Sequence, residues 1–196
     1  MGLTGSGKSN ALRQYSGVPK SGARVVLFDP ARDHSEGTHY YQSQSAFARA
    51  LAEADASGRG YRVGYDGMVS PDIYEWWCRC CIAVLDSKRP LYMITEELAA
   101  ASRGPGRAMT AHSWLMNQSR KYNGVYLCTT QFPARVSKDV YDNMGVVWFG
   151  RTSPRLQRQF VADFGLDPAQ FAALQNLEFI RWSGGKTDLI RMQYQK

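Results

Sequence analysis

The chain has 196 residues, 44% of them hydrophobic and 12% aromatic, with a formal net charge of +7. That length suits one compact domain with a real core, and residues 1–196 read as a single domain without repeats or linkers. No apolar run approaches the roughly 20 residues that span a bilayer, and no charged start followed by an apolar stretch marks a signal peptide. A cytosolic protein with no membrane segment of its own is expected. The excess positive charge fits a polyanionic partner. Cys78, Cys80, Cys81 and Cys128 lack a spaced second pair of ligands, so reduced, mostly buried thiols are expected rather than a zinc site.

In chain order, Lys8 to Tyr15 reads as a helix stopped before Gly17-Val18-Pro19. Ala23 to Phe28 is a β-branched strand closed by Asp29-Pro30. An Ala-rich helix over 45–56 and a strand over 61–65 follow. The next helix begins at Pro71 with Ser70 as its cap and runs to about Leu85. Leu91 to Thr95 is a strand running into Glu96-Glu97. A loop, Arg103-Gly104-Pro105-Gly106-Arg107, leads to a helix ending near Lys121. Strands over 125–130 and 146–150 come next, then a helix over 154–164. The chain closes as a hairpin, 178–182 and 187–194, turning at Ser183-Gly184-Gly185. This alternation implies an α/β fold, a mostly parallel sheet with helices on both faces and a C-terminal β-hairpin. Ligands of such sheets bind beyond the carboxyl ends of the strands.

Gly2-Leu3-Thr4-Gly5-Ser6-Gly7-Lys8-Ser9 matches G-x-x-x-x-G-K-[ST], the phosphate loop of the P-loop NTPases with their RecA-like sheet. Gly2, Thr4, Gly5, Ser6, Gly7, Lys8, Ser9 and Asn10 are the candidate nucleotide-binding residues. Glycines let successive N–H groups face an anion; Lys8 would reach the β and γ phosphates, and Ser9 would hold Mg²⁺. ATP with Mg²⁺ is the expected cofactor. A P-loop normally follows a central strand, and here only Met1 precedes Gly2. The first core strand is therefore expected to be missing, either because the true start lies upstream or because the sheet lacks that strand.

The carboxylates after 91–95 suit a metal shell, Glu96, and the polarisation of an attacking water, Glu97. Thr95 leaves a one-residue shift open, as does the plainer reading of a solvated acidic helix start. Gln131, after Thr129-Thr130, suits a γ-phosphate or water sensor, although a polar loop start is the simpler alternative.

Together these residues resemble the HerA/FtsK superfamily of DNA-translocating ATPases. The resemblance covers Gly2–Ser9, Phe28-Asp29-Pro30, Glu96-Glu97, Thr130-Gln131 with Pro133, and Phe149-Gly150-Arg151. Within the superfamily the chain looks most like the genome-packaging ATPases of tailless viruses with internal membranes. It departs from the pattern in its absent first strand and in Glu where Asp is commoner. The resemblance implies a homo-oligomeric ring in which Arg120 or Arg151 completes a neighbour's site. It implies double-stranded DNA held by its phosphates, a capsid or membrane anchor protein as partner, and a place in the host cytoplasm or the virion. Arg103 to Arg107, then Arg135, Lys138 and Lys186, are candidates to touch DNA. Trp76-Trp77 reads as core. Two other readings compete: a small-molecule kinase or ATP-gated switch that uses the basic loop as a lid, and an inactive fragment.

Overall fold

A computed structural model describes residues 1–3 and 5–193. In chain order the elements are α1 (Lys8–Tyr15), β1 (Arg24–Phe28), β2 (His39–Tyr41), α2 (Gln44–Ala56), β3 (Tyr61–Tyr65) and α3 (Pro71–Ala83). Then come β4 (Leu91–Thr95), α4 (Leu98–Ala101), α5 (Thr110–Gln118), β5 (Gly124–Cys128), α6 (Lys138–Asn143) and β6 (Val146–Phe149). The chain ends with α7 (Pro154–Phe164), α8 (Pro168–Ala172), β7 (Glu178–Ser183) and β8 (Lys186–Arg191). They form two compact units, Tyr15–Asn143, and Met1–Gln14 with Met144–Lys196.

The larger unit is a five-stranded parallel sheet in the order β2-β3-β1-β4-β5. Its centre is β1, because Arg-Val-Val-Leu-Phe is buried along its whole length, as a strand with neighbours on both edges must be. Helix α3 starts as the sequence suggests: Ser70 Oγ accepts from Ile73 N at 3.2 Å, with Pro71 in the first turn. Aromatic rings glue α2 and α3 to the sheet. Phe28 meets Tyr74 at 5.1 Å and Trp77 at 5.9 Å, and Trp76 lies 5.4 Å from Tyr65 and 5.5 Å from Phe47. Both tryptophans belong to the packing, as expected. Cys78 and Cys81 are buried on the same helix, and burial pushes the Cys80 thiol up to about 11.

The smaller unit carries a three-stranded antiparallel sheet, β6-β7-β8. The β7–β8 hairpin turns on Gly184 and Gly185 at φ 56° and 81°, both positive as a two-residue type I′ turn requires. Its core joins Val147, Phe149, Phe160, Leu166, Phe171, Leu174 and Ile180. Strand β6 thus pairs antiparallel with the hairpin, a partnership its sequence does not announce. The short β2, α4, α6 and α8 also escape the sequence reading. Residues 1–3 run beside β6 in the parallel sense: Met1 N donates to Trp148 O, Gly150 N to Met1 O at 2.8 Å, and Leu3 N to Arg151 O at 2.9 Å. The backbone leading into the glycine-rich loop therefore makes strand-like bonds beside β6, without a strand element of its own. Tyr194, the expected end of the hairpin, lies outside the described residues.

Candidate functional site

The smaller unit holds the glycine-rich loop. Leu3 O accepts from Ser6 N at 3.2 Å and from Lys8 Nζ at 2.9 Å, which closes the loop over its own lysine. Gly5 and Gly7 stand at φ +72° and +89°, conformations that glycine adopts without strain. A Cβ at Gly2 would come within 2.7 Å of Ser6 Oγ, and one at Gly7 within 2.5 Å of the Leu177 side chain. Ser6 Oγ is buried and has no hydrogen-bond partner among the described residues. A buried, unspent hydroxyl in a loop of left-handed glycines at the start of α1 is the donor set an anionic phosphate takes. Thr4 lies outside the described residues. Asn10 faces elsewhere: its amide donates to Gln193 O at 3.3 Å and its oxygen accepts from Gln14 at 2.9 Å. That ties α1 to the end of the hairpin, so the side chain of Asn10 serves packing within the unit. Arg151 is exposed, and its carbonyl is the one that receives Leu3 N.

The larger unit gathers the acids. In register, Tyr65, Phe28, Thr95 and Cys128 form one row across β3, β1, β4 and β5. One residue further stands a second row, Asp66, Asp29, Glu96 and Thr129. Its ladder continues through Asp29 N to Tyr65 O (2.9 Å), Glu96 N to Phe28 O (2.9 Å) and Thr129 N to Thr95 O (3.0 Å). Parallel strands in register thus deliver three carboxylates and a hydroxyl to one sheet edge. Thr95 itself is buried, and its hydroxyl shares a bond with Tyr74 at 2.9 Å. Glu96 is therefore the first residue beyond the strand.

The connection from β1 to β2 folds over this row. Arg32 Nε donates to Asp66 Oδ2 at 2.6 Å. Fully buried Asp29 accepts from Asp33 N at 3.0 Å, His34 N at 2.9 Å and the Tyr40 hydroxyl. Burial and that carboxylate raise the Tyr40 hydroxyl well above the usual phenol range. His34 Nε2 meets Glu96 Oε1 at 2.6 Å, and Thr129 Oγ1 donates to Glu96 Oε2. Asp29 entered the sequence reading as a strand-closing residue and through a family resemblance, and His34, Tyr40 and Thr129 did not enter as site residues. Their signal was the clustering of Asp, His and Tyr after a strand-closing Asp-Pro.

Glu97 takes the left-handed conformation, φ 50°, rare for a side chain of its size. Its N–H donates to Thr129 Oγ1 at 3.1 Å, and its carboxylate receives Gln131 N at 3.0 and 3.2 Å. The structure therefore joins Glu96, Glu97, Thr129 and Gln131 in one cluster. Arg120 is exposed in the turn before β5, at the amino end of that strand, whereas the acids stand at the carboxyl ends. Arg103, Arg107, Arg135 and Lys138 all belong to this unit. Lys138 N donates to Gly106 O at 3.1 Å, which ties the loop of Arg103 and Arg107 to the start of α6. Arg103 pairs with Asp72 at 2.9 Å, and the Arg135 guanidinium lies 5.1 Å over the Phe132 ring. Lys186 is exposed at the hairpin tip.

Ser9 in the smaller unit and Glu96 in the larger each offer the oxygen donor that Mg²⁺, a hard ion bound by one or two carboxylates plus phosphate and water, takes. Glu96 and Glu97 each keep lone pairs beyond the bonds described, since a carboxylate offers about four. Among the described residues no three His, Cys, Asp or Glu side chains are grouped to hold a metal by themselves. An ion that keeps most of its water needs no such cage.

No protein-family model and no curated protein sequence matches the chain. Solved structures do. The genome-packaging NTPase B204 of Sulfolobus turreted icosahedral virus 2, in complex with ATPγS, superposes with a TM-score of 0.78 at 15% identity, covering 98% of this chain and 95% of that one. The DNA-packaging ATPase B204 of Sulfolobus turreted icosahedral virus gives 0.70 at 14% identity, covering 98% and 95%. VirB4 of Thermoanaerobacter pseudethanolicus gives 0.64 at 12%, covering 99% and 88%. The chain thus shares the α/β fold of these solved structures, a mostly parallel five-stranded sheet flanked by helices with a C-terminal antiparallel hairpin.

Proposed function

We propose that this chain is an ATP-hydrolysing DNA translocase, both units belonging to one ATPase domain, and that it packages viral double-stranded DNA. The observation that carries the nucleotide part is the glycine loop with its buried, unpartnered Ser6 hydroxyl at the head of α1. Lys8 would hold the β and γ phosphates, and Ser9 and Glu96 would hold Mg²⁺. Bound there, the ion would neutralise charge on the terminal phosphates. Glu97 would accept a proton from the attacking water, and Gln131, whose N–H already holds Glu97, would sense the γ-phosphate. An acidic pair with the neutral side chain of Gln131 suits activation of water better than transfer to an organic acceptor, and so hydrolysis over a kinase reaction.

The DNA part is supported by the net charge of +7, by the basic 103–107 loop that the backbone of Lys138 holds, and by likeness in fold to packaging ATPases. Arg151, beside the glycine loop, and Arg120 are the two candidates to act on a neighbouring subunit in a homo-oligomeric ring. A capsid or membrane anchor would fix such a ring to its shell, in the host cytoplasm or on the virion. No helix among the described residues is long and apolar enough to cross a membrane.

The test is ATP hydrolysis with and without linear duplex DNA, with Lys8→Ala as the blank. Turnover that Lys8→Ala abolishes and that DNA of any sequence stimulates is the expected result. A rate indifferent to DNA at low salt rules out the translocase.

A further inference from the structure

His34 crosses from the β1–β2 connection to the acid at the end of β4. It is 3% exposed and Glu96 is 6% exposed, and their contact at 2.6 Å is inside the sheet edge rather than on its surface. With Glu96 as a carboxylate, which accepts and does not donate, His34 Nε2 would be the donor of this bond. With Thr129 on the other oxygen, Glu96 is gripped from two sides, once by the neighbouring strand and once by the loop.

The grip is only as firm as the backbone of His34, and that backbone is pinned at both ends. Its N–H is held by Asp29 Oδ2 at 2.9 Å, and its carbonyl accepts from Thr38 Oγ1 at 2.6 Å. Asp29 is held in turn by Asp33 N and by the Tyr40 hydroxyl. Tyr40 lies against β3, where Gly64 leaves room: a Cβ at that position would come within 2.5 Å of the Tyr40 ring. A chain of contacts from Gly64 through Tyr40, Asp29 and His34 thus ends on one oxygen of Glu96. A surface ion pair needs no such scaffolding.

We propose that His34 is a positioning residue that sets the orientation of the Glu96 carboxylate for Mg²⁺-nucleotide, with Asp29 and Tyr40 as its support. The proposal rests on the nucleotide reading above. Partners that orient an acidic metal-site residue typically change metal affinity by about 10- to 100-fold when removed.

The test is equilibrium binding of AMPPNP to the full chain by calorimetry, with and without Mg²⁺, so that no turnover enters. His34→Leu removes the donor at similar bulk, whereas His34→Gln keeps an N–H near the Nε2 position. His34→Leu is expected to cut the Mg²⁺-driven tightening about tenfold while metal-free affinity stays within about twofold, and His34→Gln is expected to regain most of it. Thermal melting without nucleotide is followed for each variant. Unchanged Mg²⁺ tightening in His34→Leu overturns the proposal. So does a metal-free affinity that falls as far as the metal-bound one, or His34→Gln as defective as His34→Leu. Should His34→Leu not fold, Tyr40→Phe removes one support at a distance, and the same tightening is expected to weaken by about two- to threefold; no weakening overturns the proposal. Failure of the wild-type chain itself to bind AMPPNP overturns the nucleotide reading instead, and this proposal falls with it.

Discussion

Glu97 combines two features that a passive surface acid does not need. It sits at φ 50°, a conformation that costs roughly 1–3 kcal/mol for a residue with a side chain, and its carboxylate is held by the N–H of Gln131. Strain of this kind persists where the surroundings enforce it, and here β4 and β5 do so through Thr129. Glu97→Gln keeps the shape and an acceptor for Gln131 N, and removes the proposed base. ATP turnover is expected to fall by about 10² to 10⁴ while nucleotide affinity changes little, as single-turnover and binding measurements would show. His112 offers a second test at this scale. Burial lowers its pKa to about 4, outweighing Glu75 and Asp139, which raise it. A histidine depressed below its usual 6.5 binds fewer protons folded than unfolded, so its contribution is present above pH 6.5 and lost as pH falls towards 4. The drop is about 3 kcal/mol, to be read from urea unfolding at pH 7 and pH 4. Replacing His112 by Phe is expected to flatten that slope.

At the scale of elements, register does most to build the site. Four parallel strands ending in one row bring Asp66, Asp29, Glu96 and Thr129 side by side although they lie up to a hundred residues apart. The helices α1 and α7 are legible from the sequence to their last residue, because caps and breakers bound them: Gly17 after α1, and Ser153-Pro154 and Gly165 around α7. Strand β2 is not legible, being three residues long and too short to show a period. Yet β2 carries Tyr40, and Tyr40 supports Asp29. Gly64→Ala would drive a methyl group into the Tyr40 ring and is expected to destabilise the protein by about 1–3 kcal/mol, seen as a lower urea midpoint.

Across the whole molecule, the excess of cations is the property that bears on partners. Charge alone says little about fold, but it sets the salt dependence of binding to a polyanion. Duplex DNA affinity is expected to fall linearly on a log–log plot against salt. Replacing Arg103 and Arg107 together by Ala should make that slope shallower by about one for each phosphate no longer neutralised, measured by fluorescence anisotropy on unrelated sequences. An unchanged slope would remove this loop from the DNA-facing surface.

The glycine loop, the strand ending in Glu96-Glu97, the Thr-Gln after the next strand, the parallel α/β class and the closing hairpin were all determined by the sequence itself. Each is a local pattern: a spacing, a period, or a turn that only glycine makes easily. The tertiary structure alone decided that β6 joins the hairpin and that the Asn10 amide bonds to Gln193 O. It alone brought His34 onto Glu96 and Gln131 N onto Glu97. These contacts join residues tens of positions apart through strand register and the fold of a loop, and no local pattern of side chains encodes either.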